Sequence, residues 1–390
     1  MDFQLSKEQK KRVAQAREFA LAEIAPYAAQ WDQEEHIPRK QIQKYADAGY
    51  FGMAFPIQYG GRGLSALDAV LAIEEIARHC AISGRLIVDH NFGAAITILQ
   101  FGTEEQRRRV LPTICSGETL MSIGMTEPNA GSALTELTTS AIEDGGDYII
   151  NGTKHWITGA GEREYTLLYA RFNNVSGPKG IGAILIHRDM PGFEYAGRIP
   201  SLGVRGVQEG ILKFNHMRVP KNNLVVPAGS AFGNLMSAYN GQRVGASAVA
   251  LGIAQGAFDF ARDYAGQREQ FGHRVTDFQA IQFKLADMAI GLDAARYLIY
   301  RAAANADSAI TDRYESSVAK VFASEMAIRV TSEAIQLCGA QGYSRRLPLE
   351  RMFRDARCFT LAGGTAEMQR IGIAVSILGR TIPQNRGQKF

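Results

Sequence analysis

The hydrophobic period of this chain changes twice, and no other feature limits the fold as tightly. From residue 6 to about 118 apolar residues recur every three or four positions. From Met121 to near Pro220 they fall into short alternating runs, and after the loop at 227–230 the helical spacing returns and holds to about residue 378. A chain with this order is α+β and mainly α. The expected parts are an N-terminal helical domain over 1–118, a middle antiparallel β domain over 119–225, a C-terminal helical bundle over 226–380 and a frayed tail over 381–390.

Local signals refine the outline. Ser6 with Gln9 forms a capping box, and Val13, Ala16, Phe19, Ala20 and Ile24 then share one helical stripe. A short helix is expected over 41–48. Gly60-Gly61-Arg62-Gly63 matches neither phosphate-loop spacing and reads as a turn, before Ser65 and Asp68 cap a third helix with Val70, Ile73, Ile76 and Ala77 inward. A fourth helix, starting after Ser83-Gly84, should carry Arg85 and Asp89 onward to Leu99. Strands are expected at 138–142, 148–150, 154–158, 167–170, 182–186 and 211–214, with hairpin turns at Gly145-Gly146 and Asn151-Gly152. Breaks in the bundle are expected at 266–276, 307–311 and 342–347. The weakly charged run over 244–261 is rich in Gly and Ala, which suits a buried bundle helix better than a membrane span.

Composition excludes some classes. The net charge of +4 is spread along the sequence, so nucleic acid is not an expected partner, whereas a small anionic ligand suits the mild basicity. Cys80, Cys115, Cys338 and Cys358 lie far apart, with no CxxC pair or His-rich cluster to hold a metal, and read as buried thiols of a reducing compartment. The first residues lack the basic start and apolar core of a signal peptide, so the cytoplasm is expected.

The chemistry gathers around the stretch from Ser122 to Ser132. Pro128 fixes one φ angle and Gly131 permits close backbone approach, so Thr126 and Ser132 can point the same way, toward a flat ligand with a polar edge. Trp156-Ile157-Thr158, Arg268 to Gly272, Gln336 to Ala340 and Gly363-Gly364-Thr365 follow in that order. Together these motifs resemble the acyl-CoA dehydrogenase flavoproteins, from about residue 3 to about residue 380, and the helix, sheet, helix order is that family's architecture.

The resemblance implies a noncovalent FAD. Met125, Thr126 and Ser132 would line the ring edge and ribityl phosphate, Trp156 would cover one ring face, and the Thr158 hydroxyl would reach ring nitrogen N5. Arg268, Gln270 and Phe271 would reach into a neighbouring subunit to hold its FAD, helped by Gln336, Cys338 and Gly339, which implies a homo-oligomer, normally a tetramer. Thr365 and Glu367 complete the implied cofactor set. Arg85, Ser132, Asn240, Arg243 and Gly363 form the implied site for an acyl-CoA thioester.

The chain departs from the family where dehydrogenases keep the carboxylate that removes the α-proton. One seat of that base is Gly363 here and the other is Gln242, before Arg243; Ala133 also stands where the motif usually continues with aspartate. Loss of a positioned base commonly costs a factor of about 10² to 10⁴. The Gly363 N–H remains, near a helix N-terminus that favours an anion. A subgroup with this combination, which the chain also resembles at 83–90, 129–133, 236–243 and 361–366, is the 3-sulfinopropanoyl-CoA desulfinases. Their sulfino-binding arginine maps to Arg85, giving Arg85, Gln242 and Gly363 as the implied catalytic positions. Three alternatives stand beside this reading. Arg85 and Asp89, at i and i+4, form a mere surface pair; Asp89 is a relocated acid or base in a dehydrogenase or reductase for a thioester with a distal carboxylate; or the protein binds flavin or CoA without catalysis.

Overall fold

In the computed structural model, residues 4–229, 231–306 and 310–380 are described. The expected tail at 381–390, part of the break at 307–311 and the end of the loop at 227–230 lie outside the described residues. The chain opens with α1 (Lys7–Glu23), where the Ser6 hydroxyl accepts from the Gln9 N–H at 3.1 Å and the Gln9 amide takes the Ser6 N–H in return. α2 (Ala28–Glu34) and α3 (Arg39–Asp47) follow, and the capping box of Ser65 and Asp68 starts α4 (Ala66–Ala77). Such caps contribute about 1 kcal/mol each.

The single fourth helix expected up to Leu99 is in fact two. α5 (Ala81–Asp89) begins upstream of Ser83-Gly84 and stops before α6 (Ala94–Phe101). Asn91 explains the break. Its amide donates to the Tyr50 and Ile87 carbonyls and its oxygen accepts from the Met53 N–H, all at 2.7 or 2.8 Å, which ties the turn to a neighbouring loop instead of extending the helix. Arg85 and Asp89 are thereby held on the last turns of a short buried helix. α7 (Glu104–Cys115) closes the first helical stretch, capped by Thr103 and Gln106.

The middle of the chain builds an eight-stranded sheet among the described residues: β1 (Met121–Gly124), β2 (Ser140–Asp144), β3 (Asp147–Thr158), β4 (Tyr165–Phe172), β5 (Ile181–His187), β6 (Phe193–Arg198), β7 (Glu209–Pro220) and β8 (Leu224–Val226). Its order is β6-β7-β3-β2-β4-β5-β8, with β1 beside β4. Most pairings are antiparallel, as expected, but β1 and β2 both run parallel to β4, so the sheet is mixed. The Gly145-Gly146 turn joins β2 to β3. Asn151-Gly152 is not a turn: β3 runs straight through it with a register shift, and a Cβ on Gly152 would sit 2.7 Å from the Thr139 Cα. The strands expected at 148–150 and 154–158 are therefore one.

Helices return with α8 (Ala231–Gln267). The hairpin of β9 (Glu269–Gln270) and β10 (His273–Arg274) precedes α9 (Gln279–Ala304), α10 (Arg313–Cys338), α11 (Ala340–Tyr343), α12 (Leu349–Cys358) and α13 (Ala366–Leu378). One apolar core runs through α1, α4, α5, α8, α9, α10 and α12, so helices before and after the sheet are packed as a single mass. Glycines make the contact close. A Cβ on Gly252 or Gly256 would lie 2.4 Å from the Glu74 carbonyl oxygen or 2.2 Å from that of Arg78, so α8 can lie against α4 only because these side chains are missing. The helix stretch Phe232–Gln267 is long and apolar enough to cross a membrane by length and composition, but most of its apolar window is buried inside the protein.

Candidate active site

A cavity of about 1160 Å³ opens where the ends of β1, β3 and β7 meet α5, α8 and the loop before α13. It exceeds the roughly 300 to 1000 Å³ of an ordinary small-molecule site, so it has room for more than one ligand moiety. Arg85, Met125, Thr126, Ser132, Trp156, Thr158, Asn240, Gln242, Arg243, Gly363 and Thr365 all line it. These residues are scattered over 280 positions of sequence and meet at one hollow.

The turn at 125–132 is held open by a buried anchor. Glu127 accepts from the Lys154 ammonium at 2.8 Å, from the Thr138 N–H at 2.7 Å and from the Thr139 N–H at 2.8 Å, while Glu127 and Ala130 exchange backbone hydrogen bonds. Burial would raise the Glu127 carboxyl, but Lys154 holds it down at about 2. An ionised anchor beneath the turn leaves Thr126 and Ser132 facing the cavity.

Trp156 is placed to receive a planar ligand. It is 53% exposed, it borders the cavity, and its φ of 56° lies in the left-handed region, beside the register shift of β3 against β7. Strain of this kind, about 1 to 3 kcal/mol, persists where surrounding structure imposes it and clusters at functional sites. A tryptophan held off the core, with hydroxyls of Thr126 and Thr158 nearby, fits an isoalloxazine ring.

Arg85 and Asp89 are not a surface pair. The Arg85 Nε lies 3.1 Å from the Asp89 carboxylate, with side-chain exposures of 12% and 8%. Asp89 also accepts from the Arg163 guanidinium at 2.9 Å and from the Gln242 amide at 2.8 Å. Burial alone would raise the Asp89 carboxyl, yet Arg85, Arg163 and the Gln242 amide hold it down at about 2. A carboxylate so held is a poor acid and a poor base near neutrality. Burial works against the Arg85 charge, but Asp89 and Glu209 more than offset it. The guanidinium also donates to the Thr158 hydroxyl at 3.3 Å.

Glu209 escaped the sequence reading. It lines the cavity and accepts from the Thr158 hydroxyl at 2.9 Å, its partner in register at the ends of β3 and β7. Burial pushes its carboxyl up to about 7, against the opposing pull of Arg85 and the Thr158 hydrogen bond. The signal was a glutamate opening a strand rich in Ile, Leu and Phe, but the register that sets it beside Thr158 has no mark in the sequence.

Across the cavity, Gly363 and Gly364 have φ of 74° and 86°, and Thr365 caps α13, its hydroxyl accepting from the Met368 N–H at 3.3 Å. The Arg243 guanidinium reaches the Gly363 carbonyl at 3.4 Å and lies 5.7 Å from the centre of the Tyr239 ring. Lys320, fully buried, donates to the Gly364 carbonyl. Cys358 is not a core thiol: it borders the cavity.

The rest of the expected set lies elsewhere. Arg268, Gln270 and Phe271 sit on the exposed β9–β10 hairpin, with Phe271 92% exposed at φ 55° and Arg268 without an ion-pair partner among the described residues. Gln336 and Gly339 are exposed at the end of α10, Cys338 is buried there, and Glu367 is exposed on the first turn of α13. None of these seven borders the cavity.

Comparison with known proteins gives this geometry a family. The profile for the acyl-CoA dehydrogenase N-terminal domain matches residues 6–118, that for the middle domain 122–217 and that for the C-terminal domain 230–378. A 3-sulfinopropanoyl-CoA desulfinase of Paraburkholderia xenovorans (strain LB400) is 44% identical over 388 residues, covering 98% of this chain and 99% of the relative. An acryloyl-CoA reductase (NADH) of Anaerotignum propionicum is 37% identical, with 97% of both chains covered. Among solved structures, butyryl-CoA dehydrogenase from Megasphaera elsdenii superposes with a TM-score of 0.94 at 34% identity, covering 97% of this chain and 100% of the other. Neighbours with this architecture and relatives at this identity over nearly the whole length leave one conclusion: the chain is an enzyme of the acyl-CoA dehydrogenase family.

Proposed function

We propose that this enzyme is a desulfinase that hydrolyses 3-sulfinopropanoyl-CoA to propanoyl-CoA and sulfite, with no net redox change and no glutamate to abstract an α-proton. One observation carries the reading. A largely buried, charged guanidinium, Arg85, borders the cavity, while Gly363 and Gln242 occupy the positions where family dehydrogenases keep their base. Desulfinases from four bacteria stand among the relatives at 43–44% identity, which supports the same reaction here.

The residues divide the work. A sulfinate entering this hollow must leave water, a costly transfer unless a fixed cation receives it, and Arg85 can hold two of its oxygens. The Gly363 N–H, at the head of α13, suits the thioester oxygen. Asn240 and Arg243 face the same space and suit the rest of the thioester. Cleavage of the C–S bond leaves its electron pair on the β-carbon and expels SO₂, which water converts to sulfite, so no α-base is needed. FAD, bound noncovalently by Met125, Thr126, Ser132, Trp156, Thr158 and Thr365, would supply an electron-accepting planar surface against the acyl chain. Arg268, Gln270 and Phe271, with Gln336, Cys338 and Gly339, are assigned to the FAD of a neighbouring subunit, and Glu367 to its rim, in a homotetramer. Purified protein should be yellow, and incubation with 3-sulfinopropanoyl-CoA should release free sulfite; no sulfite from FAD-loaded protein would end the proposal.

A second reading keeps one point in its favour. A guanidinium grips a carboxylate as well as a sulfinate, and the resemblance, at 32% identity, to a glutaryl-coenzyme A dehydrogenase solved with glutaryl-CoA allows a dehydrogenase or reductase for a thioester with a distal carboxylate. Asp89 was its expected acid or base, and Asp89 is locked among two arginines and an amide. Bleaching of the flavin by such a thioester without oxygen would favour it.

A further inference from the structure

The desulfinase reaction needs a proton for the β-carbon, and the cavity holds a carboxyl group placed to give it. We propose that Glu209 is the acid that protonates the β-carbon as the C–S bond breaks, a role that rests on the desulfinase reading above. Glu209 and Arg85 meet on one atom: the Thr158 Oγ1 lies 2.9 Å from the Glu209 carboxylate and 3.3 Å from the Arg85 Nη2. A substrate whose sulfinate sits on Arg85 therefore has its adjoining carbon beside Glu209.

Charge points the same way. Facing Glu209 are Arg85 and Asp89 of α5, Arg163 of the loop after β3, Tyr239 of α8 and Cys358 of α12. Burial raises the Tyr239 and Cys358 groups, the latter to about 11, so both stay neutral near pH 7. With Asp89 ionised and Glu209 protonated, the two guanidiniums leave the cluster at +1, matched to one sulfinate. With Glu209 ionised the cluster is neutral, and the same anion would enter without compensation. Substrate binding and protonation of Glu209 thus favour each other. Burial already pushes the Glu209 carboxyl up to about 7, so a large share carries its proton at neutral pH.

The step balances. The electron pair of the C–S bond goes to the β-carbon and forms a C–H bond with the Glu209 proton, and sulfur departs as SO₂. Water adds to SO₂ to give hydrogen sulfite and one proton, which returns to the Glu209 carboxylate. Arg85 and Asp89 keep their charges throughout, and no oxidant or reductant is consumed.

The test compares wild type with Glu209→Gln and Glu209→Asp, both loaded with FAD. Sulfite release by Glu209→Gln should fall about a hundred- to ten-thousand-fold, the usual range for a general acid, while FAD content and melting temperature hold. Wild-type kcat/KM should decline as pH rises through about 7, because the acid form of the free enzyme is the active one. Glu209→Gln should lose that decline, and Glu209→Asp should regain part of the rate with it. Binding the sulfonate analogue of the substrate, which cannot lose SO₂, should draw a proton from mildly alkaline buffer into wild type and none into Glu209→Gln, as read by calorimetry in buffers of different ionisation enthalpy. Sulfite release by the wild type that Glu209→Gln matches, or a pH decline that survives in that variant, would overturn the proposal alone. Absence of sulfite from the wild type would instead remove the desulfinase reading and this proposal together.

Discussion

The wall of the cavity and the β9–β10 hairpin both carry arginines that the family resemblance assigns to anionic ligands, and their surroundings are opposite. Arg85 is anchored at 3.1 Å on a buried carboxylate, inside a helix whose end is fixed by Asn91. Arg268 stands on an exposed hairpin beside a phenylalanine that is 92% exposed. The difference separates two ways of building a site. One is completed by the chain's own core, where Asp89 holds Arg85 and Arg163 in place before any ligand arrives. The other presents a cation with no ion-pair partner among the described residues and an uncovered aromatic ring, which is what a surface completed by a second copy would present. Changes to the wall should therefore register in the stability and chemistry of the single subunit, and changes to the hairpin in cofactor retention and assembly.

The largest effect expected under this contrast is Asp89→Asn. It removes the one anion shared by two buried guanidiniums, and breaking a buried pair in this way costs about 3 to 5 kcal/mol; chemical denaturation should report a loss of that order, and a midpoint equal to wild type would contradict the described network. Next is Arg85→Lys, in which a single point charge replaces a planar fork. At about 2 to 5 kcal/mol for a broken buried charged contact, and about 1.4 kcal/mol per decade, kcat/KM for sulfite release should fall roughly thirty-fold to several thousand-fold. Fold, FAD content and affinity for propanoyl-CoA, which lacks the sulfinate, should stay as they are.

Arg268→Ala should act in the other register. Loss of a charge-assisted hydrogen bond of about 1.5 to 3 kcal/mol should weaken FAD retention about ten- to a hundred-fold and shift the assembly toward smaller species on size exclusion. A FAD-free variant that still assembles as the wild type does would break the coupling. The smallest effect is expected from Gly363→Glu. Residue 363 has φ 74°, which strains any side chain, so the added carboxylate would be poorly aimed. Flavin reduction by butanoyl-CoA should stay at traces in this variant and be negligible in the wild type.

Most of the fold was legible because its signals are local. The capping boxes at Ser6 and Ser65 and the stripe ending at Ala77 act within a few residues, and the helices begin where they predict. The break after Asp89 was not legible, because Asn91 makes it by reaching the carbonyl of Tyr50, forty-one positions away. The merging of two expected strands into β3 had the same kind of cause: Asn151-Gly152 has turn composition, and only its partner β7 makes it a bulge. Within the cavity, Trp156, Thr158 and Arg85 were legible by resemblance. Glu209 was not, since its meaning comes from a cross-strand register and from burial. The change of Arg85 and Asp89 from a possible surface pair to a buried network likewise required Arg163 and Gln242, which are distant in sequence.

The proposed reaction is cleavage of a C–S bond without net redox chemistry. It is tested most directly by mixing FAD-loaded protein with 3-sulfinopropanoyl-CoA under anaerobic conditions, with no electron acceptor present, while following sulfite, propanoyl-CoA and flavin absorbance together. Many turnovers are expected, with equal amounts of sulfite and propanoyl-CoA and a flavin that ends as oxidised as it began. Flavin bleaching that stops after a single turnover, or an unsaturated thioester as product without sulfite, would contradict it.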